Sequence, residues 1–363
     1  MKNKFSFILL VTSFIALFIS LGAADFAEAS EFPFSVNPVL PENQIAGQKG
    51  YYDVLMQPGQ EQELSLELAN GTAQDVTVNI ALSNAKTNDN GVVEYSANEI
   101  PVHSSLKHPF EDLVEYEKQV TIPAGSQQVY TFKVKMPEEE IPGVIAGGIF
   151  LQAVENENQE SSEEQGVAVK NKFAYALAVL LNQSEAKGIG ELKLTQAEAA
   201  QRNVRNVIRG HFENPAPYYL NGLAIIGEVT REGEDEVLYS STSENMQMAP
   251  NSSFWYSIPL DGQELEAENY VYRATAYAVK DTDGEYTFGE DNEGNPQNYQ
   301  KKWEFEQPFE VTRGTASSFN EADVDVQENK PDMTWIYYLL GAIIFLLLIV
   351  VILLVRRNKK KDE

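Results

Sequence analysis

The chain has 363 residues, no cysteine and a formal charge of −27 at neutral pH. Without a thiol it can form no disulfide, thiolate metal site, cysteine nucleophile or thiol redox centre. A field of that sign repels nucleic acid and other polyanions at long range, favours basic partners and helps keep an exported chain soluble.

At the N-terminus, Lys2 and Lys4 precede an apolar run, Phe5 to Leu21, and small residues follow from Gly22. This predicts a secretory signal peptide over residues 1–29, cut after Ala29 at the small-x-small pattern Ala27-Glu28-Ala29. Cleavage at Ala23 or Ala24 and an uncleaved anchor are the alternatives. Between Phe32 and Leu151 the pattern has period two. Leu64, Leu66 and Leu68 alternate with Ser65 and Glu67; Val76, Val78 and Ile80 alternate with Thr77 and Asn79; Val129, Phe132 and Val134 form a less regular third run. Each run predicts a strand with one apolar and one wet face. Asn90-Gly91, ahead of Val92-Val93-Glu94-Tyr95, predicts a hairpin, because these residues accept the left-handed angles of a tight turn. About seven or eight strands at this spacing predict an immunoglobulin-like sandwich over residues 30–154.

Glu155 to Gln165 holds five glutamates and neither a basic nor an apolar residue, which predicts an acidic linker over 155–166. A second β pattern follows in Phe173 to Leu181, Gly190 to Leu194, Val204 to Phe212, Leu220 to Val229 and Tyr270 to Val279. It predicts another sandwich over 167–313, with a short helical turn at Ala197 to Arg202. Residues 314–333, acidic and poor in apolar side chains, are expected to form a flexible stalk. Thr334 to Val355 is uncharged and almost wholly apolar, and as a helix it would span about 33 Å, enough to cross a bilayer. Trp335, Tyr337 and Tyr338 sit at its entrance, where amphipathic rings favour the headgroup layer, and Arg356, Arg357, Lys359, Lys360 and Lys361 make the tail 356–363 basic. The positive-inside rule then predicts a single-pass membrane protein with its C-terminus in the cytoplasm. Ser30 to Met333, carrying a formal charge of about −30, would lie outside the cell in the wall. The fold class expected is all-β: two immunoglobulin-like sandwiches in tandem plus one C-terminal transmembrane helix.

Chemistry is sparsely signalled. The three histidines, His103, His108 and His211, lie in no paired metal-ligand motif, and no serine elbow or phosphate-cradling glycine loop occurs. Gly143 to Gly148 falls within a strand pattern and predicts close backbone packing. Asp281-Thr282-Asp283-Gly284 begins like a calcium loop but lacks the later ligands, so it is expected to be a turn. No catalytic residue, metal or cofactor is expected. Aromatic pairs are the remaining candidates. In Tyr51-Tyr52, Tyr218-Tyr219 and Trp255-Tyr256, strand geometry turns one ring of each away from its own core, free to stack on a sugar or peptide or to pack on the other domain.

The serial order of the features carries a resemblance. Phe34-Ser35-Val36-Asn37-Pro38-Val39-Leu40-Pro41-Glu42-Asn43-Gln44 precedes Gly50-Tyr51-Tyr52-Asp53, then Gln57-Pro58-Gly59-Gln60 and Thr87-Asn88-Asp89-Asn90-Gly91, with a second domain, an anchor and a basic tail behind them. This order resembles the WxL-interacting proteins of Gram-positive bacteria. The resemblance implies an N-terminal peptidoglycan-binding domain and a second domain that binds host matrix proteins, in a surface complex with WxL proteins. No Trp-x-Leu motif occurs in this chain, since Trp255, Trp303 and Trp335 are followed two positions on by Ser257, Phe305 and Tyr337. No Leu-Pro-x-Thr-Gly sorting signal precedes the anchor either.

The expected function is therefore that of a non-enzymatic, membrane-anchored scaffold or adhesin that binds peptidoglycan, WxL-type surface proteins and host extracellular-matrix protein. Tyr51, Tyr52, Asn88, Asp89, Asn90 and Tyr95 are the candidates for wall contact, and Tyr218, Tyr219, Trp255 and Tyr256 for protein contact. A wall-glycan hydrolase using two of the many carboxylates, and a membrane sensor acting through a further partner, are the alternatives.

Overall fold

A computed structural model of the chain describes residues 32–154, 173–185, 188–329 and 334–359, apart from 46, 48 and 292. The expected signal peptide, acidic linker and last residues of the basic tail lie outside the described residues.

The first sandwich is built from β1 (Ser35–Val39), β2 (Tyr52–Leu55), β3 (Glu61–Ala69), β4 (Val76–Asn84), β5 (Lys86–Thr87), β6 (Val93–Glu94), β7 (Val114–Glu115), β8 (Gln119–Ile122), β9 (Gln127–Lys135), β10 (Val144–Ala153) and β11 (Ala174–Asn182). One sheet runs β1-β3-β9-β7 and the facing one β2-β11-β10-β4-β8, while β5 and β6 form a separate hairpin. Leu64, Leu66 and Leu68 point into the core, as their alternation predicts. The third run is corrected: Val129 is 63% exposed and Tyr130 takes the core place beside Phe132 and Val134. Side chains of opposite parity cannot share a strand face, so Val129 and Phe132 point apart. In β10 the glycines do pack closely. A Cβ on Gly147 would stand 2.1 Å from the Phe110 ring, and one on Gly148 would stand 2.1 Å from the Tyr95 carbonyl oxygen.

Strand β11, expected in the second domain, belongs to the first. It pairs antiparallel with β10 from Val144↔Asn182 to Gln152↔Ala174, and parallel with β2. Its alternating Leu177, Val179 and Leu181 fill the first core. The acidic stretch therefore separates two neighbouring strands of one sheet, and the second sandwich opens only at Lys193.

That second sandwich contains β12 (Lys193–Arg202), β13 (Arg205–Asn214), β14 (Leu220–Arg231), β15 (Val237–Met248), β16 (Ser252–Pro259), β17 (Asn269–Lys280), β18 (Tyr286–Glu290) and β19 (Pro296–Glu310). Its sheets run β12-β13-β16 and β15-β14-β17-β19-β18. Ala197 to Arg202, expected as a helical turn, is part of β12 and pairs along β13. The alanines there favour a helix locally, but six consecutive paired positions on β13 hold the segment extended.

Residues 314–333 are not simply a stalk. The helices α1 (Arg313–Ala322) and α2 (Val324–Asn329) fold back onto the second sandwich. Thr312 caps α1 by accepting the Thr315 N–H, and Ala316 is buried in the core cluster with Phe319 packed against it. The remaining contacts are polar: Asn320 bonds to both backbone groups of Leu265, and Asp323, 1% exposed, accepts the N–H groups of Asn206, Asp325 and Val326. A hydropathy reading misses such a seam, because half of it is hydrogen bonds. Helix α3 (Thr334–Lys359) follows, and Trp335–Ile352 is long and apolar enough to cross a membrane.

Candidate functional site

The predicted hairpin forms, and its place in the molecule is the main finding about the site. Asn88 N–H donates to the Val92 carbonyl (2.9 Å) and Gly91 N–H to the Asn88 carbonyl (2.9 Å), while the Asn88 side chain accepts the Asn90 and Val92 N–H groups. Gly91 has φ +69°, an angle that costs glycine little, and a Cβ there would meet Met246 of the second sandwich at 2.5–2.8 Å.

The turn is plugged into the second domain. Asp89 Oδ1 accepts the Trp255 N–H (3.1 Å), Asn90 Oδ1 accepts from Arg202 (2.6 Å), and the Gly91 carbonyl accepts the Gln247 N–H (2.8 Å). At its base the Thr87 hydroxyl, 1% exposed as a residue, meets Ser252 Oγ at 2.7 Å and accepts the Ala249 N–H at 2.9 Å. Beside it the hydroxyls of Tyr95 and Tyr219 are 3.0 Å apart. Asn251 donates to Ser105 Oγ (2.9 Å), and Val144 N–H donates to the Pro217 carbonyl (2.9 Å). Ala85, Ala146 and Ala249 make a small apolar cluster in the same seam. The two sandwiches are thus joined by a polar interlock with directed hydrogen bonds and a small apolar centre.

Electrostatics follow this burial. Burial pushes the Tyr95 hydroxyl up and the Tyr219 hydroxyl well above the usual tyrosine range. Tyr51 is also raised, by burial and then by the Asp53 charge. Glu213 lies between histidines of both domains, 3.4 Å from His103 Nε2 and 3.4 Å from His211 Nδ1. Burial, assisted by nearby His103 and Arg209, lowers the His211 imidazole despite the opposing charges of Glu213 and Asp89.

The candidate residues divide sharply. Tyr52 and Tyr256 are core side chains, 0% and 4% exposed, and offer no binding surface. Tyr52 donates to the Ser65 carbonyl and Tyr256 points its hydroxyl at the Ile225 carbonyl. Asn88, Asp89, Asn90, Tyr95 and Tyr219 belong to the seam. Tyr218 is half-buried and covers Gly188, where a Cβ would stand 2.4 Å from its ring. Trp255 is half-buried on the outer face of β16, beneath the Arg209 guanidinium (4.2 Å) and beside His211 (4.7 Å). Tyr51 is half-buried and remains beside the seam. Sequence reasoning missed Thr87 as an anchor, and also His103, Glu213 and Asn251, whose roles arise only once the domains meet.

Hollows open along this seam among the described residues. One of about 680 Å³ has Asp89, Glu94, Glu99 and His103 on one wall and Glu213 and Trp255 on the other. A smaller one of about 340 Å³ is edged by Leu106, Ile141, Pro142, Pro215 and Pro217. Among the described residues no group of three or more histidines and carboxylates could hold a metal ion.

Replacing Thr87 by valine keeps the shape but removes the acceptor of the Ala249 N–H and the partner of Ser252. The expected cost is about 1–3 kcal/mol. It should appear as faster proteolysis and amide exchange at 87–95 and 246–255, with the two sandwich cores unchanged. Equal exchange in both proteins would show that the interlock does not depend on this bond.

Residues 34–153 match the WxL Interacting Protein, peptidoglycan binding domain, and residues 164–321 match the WxL Interacting Protein, host binding domain. No curated protein matches the chain. Among solved structures it is similar to one from the chaperone-tip adhesin complex of CFA/I fimbriae, at 10% identity over 76% of this chain and 98% of that one, with a TM-score of 0.31. It is also similar to one from the Salmonella enterica SafA pilin in complex with the SafB chaperone (12% identity, 76% and 97% covered, TM-score 0.28). A third is the E. coli chaperone DraB (12% identity, 77% and 97% covered, TM-score 0.27). The two family matches account for both sandwiches and the docked helix α1, and neither domain is described as catalytic: the chain belongs to the WxL-interacting protein family.

Proposed function

We propose that this protein is a membrane-tethered scaffold of the cell surface whose first sandwich binds peptidoglycan and whose two sandwiches together assemble with WxL-type surface proteins. The second sandwich also supplies the contact with host extracellular-matrix protein. Residues ahead of α3 face the wall, and the basic tail holds the C-terminus in the cytoplasm. The observation that carries this reading is the interlock. A hairpin of the peptidoglycan-binding domain is bonded into the host-binding domain at Trp255, Gln247, Arg202 and Ala249, so a ligand on one domain fixes the position of the other.

The full chain in detergent or nanodiscs, mixed with surface extract and with purified peptidoglycan, tests this. Co-sedimentation with peptidoglycan together with recovery of a WxL protein is the expected result. Recovery of neither would overturn it.

A further inference from the structure

The larger hollow in the seam has a composition that the scaffold role does not explain. We propose that this interdomain cleft receives a basic side chain, lysine or arginine, from a polypeptide partner. The inference rests on the scaffold reading and adds the chemistry by which a protein partner is held.

Four features of the cleft converge on that ligand. Its volume, about 680 Å³, falls within the range of about 300–1,000 Å³ typical of sites that enclose a ligand. Among the described residues its lining includes Asp89, Glu94, Glu99 and Glu213, with His103 and His211 but neither lysine nor arginine, and the Arg209 guanidinium that lies over Trp255 is already paired with Glu198. The carboxylates are interleaved with Ile100, Pro101 and Val102, an apolar strip suited to the aliphatic stem of a long cationic side chain while the head group reaches the acids; Trp255, already stacked by Arg209, closes the far side. Val102 stands at 52% exposure and Glu99 is also exposed, so the strip and one carboxylate already face solvent.

The wall supplied by the first domain is also unusual. Residues 95–109, between β6 and the short turn at Phe110–Leu113, contain no strand or helix. Loops of more than about 12–15 residues without structure of their own are uncommon in compact domains and are often functional. This one is held in place by the second domain, through Tyr95 to Tyr219 and Ser105 to Asn251. The opposite wall, with Glu213 and Trp255, comes from strands β13 and β16. The cleft exists only where the two sandwiches meet, and an extended partner lying over it would touch both.

Of the four acids, Glu94 and Glu99 are the available acceptors, since Asp89 already accepts the Trp255 N–H and Glu213 the Thr195 hydroxyl beside His103 and His211. Glu94 is oriented by Asn88 (2.6 Å) and Asn98 (3.2 Å), which donate to it without neutralising its charge. Among the described residues Glu99 has no such tether, and from its exposed position it can follow the incoming cation. A bound ammonium or guanidinium would thus meet carboxylates from a fixed and a mobile side chain, with charge-assisted bonds about twice as strong as neutral ones.

The test uses the full chain in nanodiscs and three probes: a short linear peptide carrying one lysine, the same peptide with norleucine, and a soluble muropeptide with a free amine. The expected result is saturable binding of the lysine peptide, little binding of the norleucine peptide, and at least about tenfold weaker binding by the Glu94→Gln/Glu99→Gln double variant. Glu99→Lys, a single change at an exposed position, should abolish binding and leave the unfolding transition in place. Equal binding of the lysine and norleucine peptides, no saturable binding, or indifference to the substitutions would overturn the proposal. Binding of the muropeptide alone would overturn it in favour of a wall-polymer site. A wild-type chain that captures a WxL protein and peptidoglycan but ignores the lysine peptide would sink the cleft assignment alone; failure of that capture is the separate failure of the scaffold reading.

Discussion

Tyr52→Ala is expected to unfold the first sandwich. The ring is fully buried, packs edge-on to Phe132 with centroids 5.8 Å apart, and donates its hydroxyl to the Ser65 carbonyl on the facing sheet. Burial raises this hydroxyl far above the usual tyrosine range, so the neutral donor is the form present at every working pH. Removing the ring leaves a hole between the two sheets and takes the Tyr52 donor away from the Ser65 carbonyl. Substitutions of large buried aromatics by alanine cost about 3–5 kcal/mol, comparable with much of the stability of an ordinary domain. Chemical denaturation should show the first transition moved to much lower denaturant, and peptidoglycan binding should fall with the folded fraction. A variant of unchanged stability with weakened binding would return Tyr52 to the list of contact residues. Tyr52→Phe, which keeps the ring and loses one hydrogen bond, should cost only about 1 kcal/mol.

The second large effect is expected at Asp323. Burial by itself would raise this carboxyl, but the N–H groups of Asn206, Val326 and Asp325, with the nearby Arg205 charge, hold it below the ordinary carboxylate range. A group whose folded pKa is depressed contributes stability that is complete above its unfolded value of about 3.9 and is lost as pH falls through the folded value. The docked helices should therefore hold at neutral pH and loosen only in acid, below about pH 4. Asp323→Ala removes the acceptor at all pH values and leaves buried donors unpaired, at about 1–3 kcal/mol. Since local opening scales with that cost, amide exchange across 313–329 should quicken by about tenfold to a hundredfold at neutral pH, with little change in the sandwich cores. The acid loosening of this segment should also disappear in the variant. If Asp323→Ala exchanges like wild type, the helices are held by Ala316, Phe319 and Val326 without the carboxylate.

The sequence makes the elements more legible than their partners. Alternation in Leu64-Ser65-Leu66-Glu67-Leu68 has one reading, and Asn90-Gly91 has one reading, so the strand and the hairpin are both where expected. Strand β11 is equally clear as a strand, yet its assignment to a sandwich depends on pairing with β10 and β2, and no local signal states which edge a strand will join. Charge misled in the same place, because an acidic stretch between two strands looks alike whether it joins two domains or two neighbours in one sheet. The site was half legible. Aromatic pairs do mark strand faces, with Tyr52 and Tyr256 inward and Trp255 outward. Which outward groups meet water and which meet the other domain is a property of the seam, where Asn88, Asp89 and Asn90 make tertiary bonds that no turn motif reveals.

The docking of α1 and α2 fixes how far the sandwiches stand from the lipid. Only residues 330–333 separate Asn329 from Thr334, and a chain of that length reaches at most about 18 Å when fully extended. With α3 in a bilayer, the host-binding domain rides as a low platform on a short leash, and its height above the membrane is set by folded dimensions. Anything that domain meets would then be met within a thin layer next to the lipid. A spacer inserted at 330–333 would thicken that layer while leaving the sequence of both sandwiches and of α1 and α2 unchanged.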